Sequence, residues 1–335
     1  MPGLDDLLGL VFRAVDVTPA YTAERCLVVT RASNIACREC VDACPHDAVR
    51  VVALRVEVDP VDCTGCGLCV RACPSEALEQ RSGLNAGAPA RCSRVEGSAQ
   101  SVQCLAKLSP TDVLQLADRD GEVVLGRGDC AACKIGGPSV PDAVAATVAR
   151  AEALAAALGR VVSVEVRQTR RLDQLGPGER LSRRALLRGG LREAGQLAAD
   201  ALAPLERVLP APEGEPGLKD MPRERSRLVA ALRAADPPPE TRVPFRLPRV
   251  DDGCILCPLC TKACPTDALR RELGPEGGQL LLDPERCLGC DACVPACPVK
   301  VVSMDDDITW GEVRAGEQVA YESSADQGRP GAYHR

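Results

Sequence analysis

The segment VRVVALRVEVDPVDC, residues 49–63, alternates apolar and polar positions with a period of two, as a pair of short strands does, and ends in Asp59-Pro60. The segment ALRRELGPEGGQLLLDPERC, residues 268–287, repeats that plan around a Gly-rich turn and ends in Asp283-Pro284. Between these two hairpins the period changes. Ser109-Pro110-Thr111-Asp112 carries a helix start: a capping hydroxyl, Pro in the first turn and an acid three residues on. Residues 122–125 read as a strand. Residues 141–158 are Ala-rich, with Val144, Val148, Ala151, Ala155 and Leu158 on one helical face and Gly159 as the stop, and residues 161–166 read as a further strand.

The remaining stretches give weaker signals. An N-terminal helix is expected over 1–19 and an amphipathic helix over 180–208. A Pro-rich linker over 209–247 includes Pro237-Pro238-Pro239 and one short helix near 220–235. The polar tail, 305–335, is expected to be poorly ordered after Trp310. The expected architecture is α+β: a module over 20–82, an α/β domain over 88–168, the linker, and a second module over 248–304.

Composition sharpens this picture. The chain has 335 residues, a formal net charge of −6 and 45% apolar residues, but only 2% aromatics. That length suits two or three domains. With so few rings, something else must fill part of the interior, and inorganic clusters would do so. The acidic balance without a basic run argues against nucleic acid as a partner. Asp5 and Asp6 stand where a secretion signal would carry basic residues, and the apolar stretch 7–12 is too short for a membrane span. A cytoplasmic location is therefore expected, where thiols stay reduced.

The 20 cysteines carry the chemistry. In a reducing compartment, clustered cysteines point to metal or redox work. Three blocks have the spacing C-x2-C-x2-C-x3-C-P: Cys63, Cys66, Cys69, Cys73 with Pro74; Cys254, Cys257, Cys260, Cys264 with Pro265; and Cys287, Cys290, Cys293, Cys297 with Pro298. A partial block holds Cys37, Cys40 and Cys44 with Pro45. Ala48, Ala77 and Ala268 follow three residues after the Pro, with Val301 in the fourth block. Each hairpin lies between two blocks, so one unit occurs twice. The alternative chemistry is zinc, but structural zinc sites favour paired C-x2-C units with four local ligands, which this spacing is not.

These paired blocks resemble bacterial two-cluster ferredoxins. The resemblance covers roughly a third of the chain and implies [4Fe–4S] clusters in which the last Cys of one run serves the cluster of the other. It gives Cys254, Cys257 and Cys260 the fourth ligand Cys297, and Cys287, Cys290 and Cys293 the fourth ligand Cys264. Cys63, Cys66 and Cys69 take Cys44. The set Cys37, Cys40 and Cys73 lacks a partner, because Asn34 stands where the family has Cys. Two readings remain: Cys26 closes a four-iron cluster across the loop 27–36, or the site holds a three-ligand [3Fe–4S] cluster. Three to four [4Fe–4S] clusters are thus expected. Gly65, Gly67 and Gly289 would let backbone N–H groups approach the sulfurs.

Cys92, Cys104, Cys130 and Cys133 remain as a possible fifth site, for a further [2Fe–2S] cluster, another metal, or a Cys130/Cys133 dithiol. The region around them resembles, loosely, the [2Fe–2S] small subunit of methyl-viologen-reducing hydrogenases and the thioredoxin-like ferredoxins. His46 and His334 form no catalytic constellation, although His46 adjoins a cysteine block. Ser182-Arg183-Arg184 resembles a twin-arginine export motif but lies inside the chain, and Asp305-Asp306-Asp307 reads as a solvated turn.

The functional expectation is an iron–sulfur carrier that relays single electrons as a subunit or partner of an oxidoreductase, with redox proteins as partners. The alternatives are a reductase whose central cysteines act on a disulfide or small acceptor, and a structural or sensory cluster protein.

Overall fold

A computed structural model of the chain describes residues 17–29, 37–173, 219–275 and 277–324. The sequence readings for the N-terminal helix before residue 17, the amphipathic helix 180–208, the first part of the linker, Asn34, His334 and the end of the tail lie outside the described residues.

The two cysteine-rich modules share one plan. In the first, β1 (Ala20–Tyr21) pairs antiparallel with β4 (Leu78–Glu79), so the module's two ends close on each other. Between them lies the hairpin β2 (Val49–Val52) and β3 (Arg55–Val58). Its two turn residues, Ala53 and Leu54, both take positive φ, as a two-residue turn matched to strand twist requires. The short helices α1 (Glu39–Asp42) and α2 (Leu68–Ala72) carry the cysteine blocks.

The second module repeats this with β9 (Leu247–Val250) against β12 (Val302–Asp305), the hairpin β10 (Leu269–Gly274) and β11 (Gly277–Leu282), and helices α6 (Leu259–Ala263) and α7 (Cys293–Ala296). In all four blocks the residue two beyond the Pro adopts left-handed φ: Asp47, Glu76, Asp267 and Lys300. That turn sends the next residues, Ala48, Ala77 and Ala268, into the core.

Between the modules, β6 (Gln100–Val102), β5 (Ala90–Cys92), β7 (Glu122–Arg127) and β8 (Ser163–Gln168) form a parallel sheet in that order. Helix α3 (Pro110–Leu116) begins with a reciprocal cap between Ser109 and Asp112. Helix α4 (Val140–Ala157) buries Val144, Ala151, Leu154 and Ala155, and Gly159 turns the chain away at φ 66°. Both helices pack on the sheet, and its apolar interior is continuous with that of the second module.

Helix α5 (Arg223–Ala235) lies within the stretch expected as a linker, and it is packed on three sides. Its first N–H, from Arg223, donates to Glu79 of the first module at 2.8 Å. Glu224 accepts from the N–H and hydroxyl of Thr111, and Arg227 pairs with Asp112 at 2.8 Å. Arg225 is buried, stacks over Phe245, and donates to the carbonyls of Pro284 and Glu285 in the second module. One helix thus holds three parts of the chain together.

The expectation of a poorly ordered tail after Trp310 is corrected as far as residue 324. Trp310 is 1% exposed and opens helix α8 (Trp310–Arg314), capped reciprocally by Thr309 and Glu312. Strand β13 (Gln318–Ser324) then pairs antiparallel with β11. A polar composition hid this order, because the strand depends on backbone pairing to a distant partner, with Ala320 and Tyr321 packed on the core.

Candidate metal centres

The cysteine blocks place their thiols by local geometry. After the first three cysteines of a full block a short helix begins or is under way, and the left-handed residue beyond the Pro directs the next N–H back at the last sulfur. Ala77 N–H donates to Cys73 Sγ at 3.3 Å, and Ala268 N–H to Cys264 Sγ at 3.2 Å. A second motif recurs within the blocks: the sulfur of a cysteine accepts from the N–H two residues on. Glu39 serves Cys37, Leu68 serves Cys66, Leu256 serves Cys254, Gly289 serves Cys287 and Ala292 serves Cys290 in this way. Such donors stabilise thiolate sulfur and tune the potential of a bound cluster.

The thiols gather into quartets drawn from both blocks of a module. Cys44, Cys63, Cys66 and Cys69 line one small cavity. Burial pushes the Cys69 thiol up to about 12, and its neighbours Cys66, Cys44 and Cys63 push it further in the same direction. Cys264, Cys287, Cys290 and Cys293 line another small cavity. There burial raises Cys287 to about 11 and Cys290 to about 12, with Cys264 adding to both. Cys254, Cys257, Cys260 and Cys297 form the other quartet of the second module, with Cys260 raised to about 11 by burial and by those three.

In the first module, Cys40 is raised to about 12 by burial, and then by Cys73, Cys37 and Cys26. Cys26 therefore sits with Cys37, Cys40 and Cys73. The hydroxyl of Tyr21 hydrogen-bonds the Cys26 sulfur, and burial and that contact raise the Tyr21 hydroxyl to about 12.

Two consequences follow from the chemistry of these donors. Four thiols drawn from two blocks to one place are the donor set that a polynuclear iron–sulfur cluster takes. The residues present therefore fit [4Fe–4S] clusters. The raised thiols also mean that iron must displace protons, so loading is favoured as pH rises.

The quartets of different modules adjoin. Leu27, Ala263, Ala292 and Ala296 form a small apolar contact, against which Cys37 of the first module and Cys290 of the second both pack. Small side chains here keep the two sites close.

Cys92, Cys104, Cys130 and Cys133 also come together. They line one small cavity at the C-terminal ends of β5, β6 and β7. The sequence reading missed Thr64 and Ile135. The Ile135 carbonyl accepts from Thr64 Oγ1 at 2.7 Å and lies 2.8 Å from His46 Nε2, so half-buried His46 takes part in a joint with the central domain. No local signal marks such a contact, since its partners are distant in the chain.

The 4Fe-4S dicluster domain family matches this chain twice, over residues 35–77 and 253–301. One subunit of the ion-translocating oxidoreductase complex of Methanosarcina acetivorans is 45% identical over 47 residues, which are 14% of this chain and 18% of that protein. The chain thus covers less than a fifth of the curated relative it matches. No solved structure matches. Among the described residues, no helix is long and apolar enough to cross a membrane.

Proposed function

We propose, on the premise that this chain carries two 4Fe-4S dicluster domains and serves electron transport, that it is a four-cluster relay acting as a subunit or partner of an oxidoreductase complex in the cytoplasm. The observation that carries this reading is the packing of Cys37 and Cys290 against one apolar cluster of Leu27, Ala263, Ala292 and Ala296. A carrier that exchanged electrons at one module alone would have no use for it.

In this reading the ligand sets are Cys44, Cys63, Cys66 and Cys69; Cys26, Cys37, Cys40 and Cys73; Cys264, Cys287, Cys290 and Cys293; and Cys254, Cys257, Cys260 and Cys297. Each cluster, when bound, takes up or releases one electron with its thiolates kept in place. The protein's share is to hold the sulfurs, aim N–H groups at them, and exclude water with a packed interior. Helix α5 keeps the modules in register, and a relay needs this because electron transfer slows steeply with distance. The similarity to one component of an ion-translocating oxidoreductase complex supports a complex as the partner.

Anaerobic purification with iron and sulfide analysis, followed by a redox titration read by paramagnetic resonance, tests the proposal. Full loading of these four sets gives about 16 iron atoms per chain. A protein that binds zinc here, or whose clusters cannot be reduced by any cellular donor, would not be a relay.

A further inference from the structure

The strands of the central sheet bring Cys92, Cys104, Cys130 and Cys133 from three separate loops to one end. In an open parallel sheet, that end is where ligands bind. Cys92 closes β5, Cys104 follows β6, and Cys130 and Cys133 follow β7. The cavity they line is small and lined by thiols, as are those of the ferredoxin-type quartets. The hydrogen-bond pattern is the same too. Cys104 accepts from the N–H of Ala106, two residues on, and Cys133 from that of Ile135, at 3.4 Å. Cys133 receives two more N–H donors, from Gly136 and Gly137, and the Arg127 guanidinium bonds Cys130. Neutral buried thiols have no need of so many donors. Thiolates bound to a cluster of net negative charge do.

We infer that Cys92, Cys104, Cys130 and Cys133 hold a fifth cluster of the [4Fe–4S] type, in direct electronic contact with the centre on Cys63, Cys66, Cys69 and Cys44. Gly136 makes that contact. A side chain there would meet Cys104 Sγ at 3.1 Å and Cys66 Cβ at 3.7 Å, so one glycine separates a ligand of each site. One electron passes between them, the reduced centre losing it and the oxidised one gaining it, with no bond or proton moved. The clusters then form a line: central site, first module, second module. This inference rests on the relay reading but is tested separately from it.

The experiment compares iron and sulfide content and Mössbauer spectra of the full chain and of two variants, Cys104→Ala/Cys130→Ala and Cys133→Ser, all reconstituted without oxygen. The unaltered chain is expected to hold about four more iron and four more sulfide than the four relay sets account for, all of cubane type. The double variant should lose about four of each and keep the rest. Should the variants not fold, the count and spectrum of the unaltered chain decide the matter. A gain of only about two iron with a [2Fe–2S] spectrum, zinc at the site, a Cys130–Cys133 disulfide, or iron content equal in all three proteins would overturn the inference. Those results would leave the relay standing if the other sites remain loaded, whereas loss of iron throughout would sink the relay itself.

Discussion

His46 Nε2 lies 2.8 Å from the carbonyl oxygen of Ile135, and Thr64 Oγ1 donates to that oxygen from the other side at 2.7 Å. One carbonyl of the loop that carries Cys133 is therefore gripped by both cysteine blocks of the first module. Gly67 tightens the same joint: it sits at φ 84°, and a Cβ there would meet Lys107 Cα at 2.6 Å. His46→Ala is expected to cost about 1 kcal/mol, and His46→Ala/Thr64→Val about 2–3 kcal/mol, since the carbonyl is then left unpaired. Anaerobic urea unfolding measures both. Values near zero would mean that the joint contributes nothing.

In the proposed relay, Cys26 sets the nuclearity of one centre. Cys26→Ala is expected to remove about one iron per chain and to give a three-iron resonance in the oxidised protein. Tyr21→Phe should retain the iron but lower the potential of that centre, because the hydroxyl bond to the Cys26 sulfur stabilises the more negative, reduced form. An unchanged iron count in Cys26→Ala would favour the three-ligand reading.

Arg225 is the buried pivot of helix α5. Its guanidinium centre lies 3.6 Å from the Phe245 ring centroid, and it donates to Glu285 O at 2.9 Å and Pro284 O at 2.6 Å. Arg225→Met keeps much of the bulk but strands both carbonyls, and a loss of about 3 kcal/mol is expected. A separate unfolding transition for the second module should appear in the melting profile.

Glu76 supplies a pH signature. Burial, with Glu224 close by, raises its carboxyl from 4.5 to about 7, against the opposing pull of Arg71 and Arg225. Because the folded-state value lies above the unfolded one, Glu76 is protonated in the folded protein while it is already ionised in the unfolded chain. Stability is therefore lost as pH rises from about 4.5 to about 7. Glu76→Gln should remove that loss. The variant is expected to match the parent near pH 4 and exceed it by on the order of 2 kcal/mol at pH 8, after allowance for partial exposure. A difference that stays flat with pH would contradict this.

Much of the candidate chemistry could be read from spacing. Cys63, Cys66 and Cys69 present their thiols from one tight loop, and Ser109 with Asp112 marks a helix start within four residues. Other features gave no such sign. Cys92 and Cys104 meet only because β5 and β6 run parallel with Cys92 opposite Val102. The pairing of Arg227 with Asp112 links residues from separate parts of the chain, and β13 is ordered by pairing with the distant β11.

Local geometry and ligand valence are written in consecutive residues, so the thiolate blocks, their hairpins and the kind of metal they suit needed nothing beyond the chain's order. Which sites lie side by side is another matter. The packing of Cys37 and Cys290 on one apolar cluster, and the approach of Cys66 and Cys104 to Gly136, depend on packing between distant segments. No local pattern encodes that spacing, because it is a property of surfaces that exist only once the chain has folded.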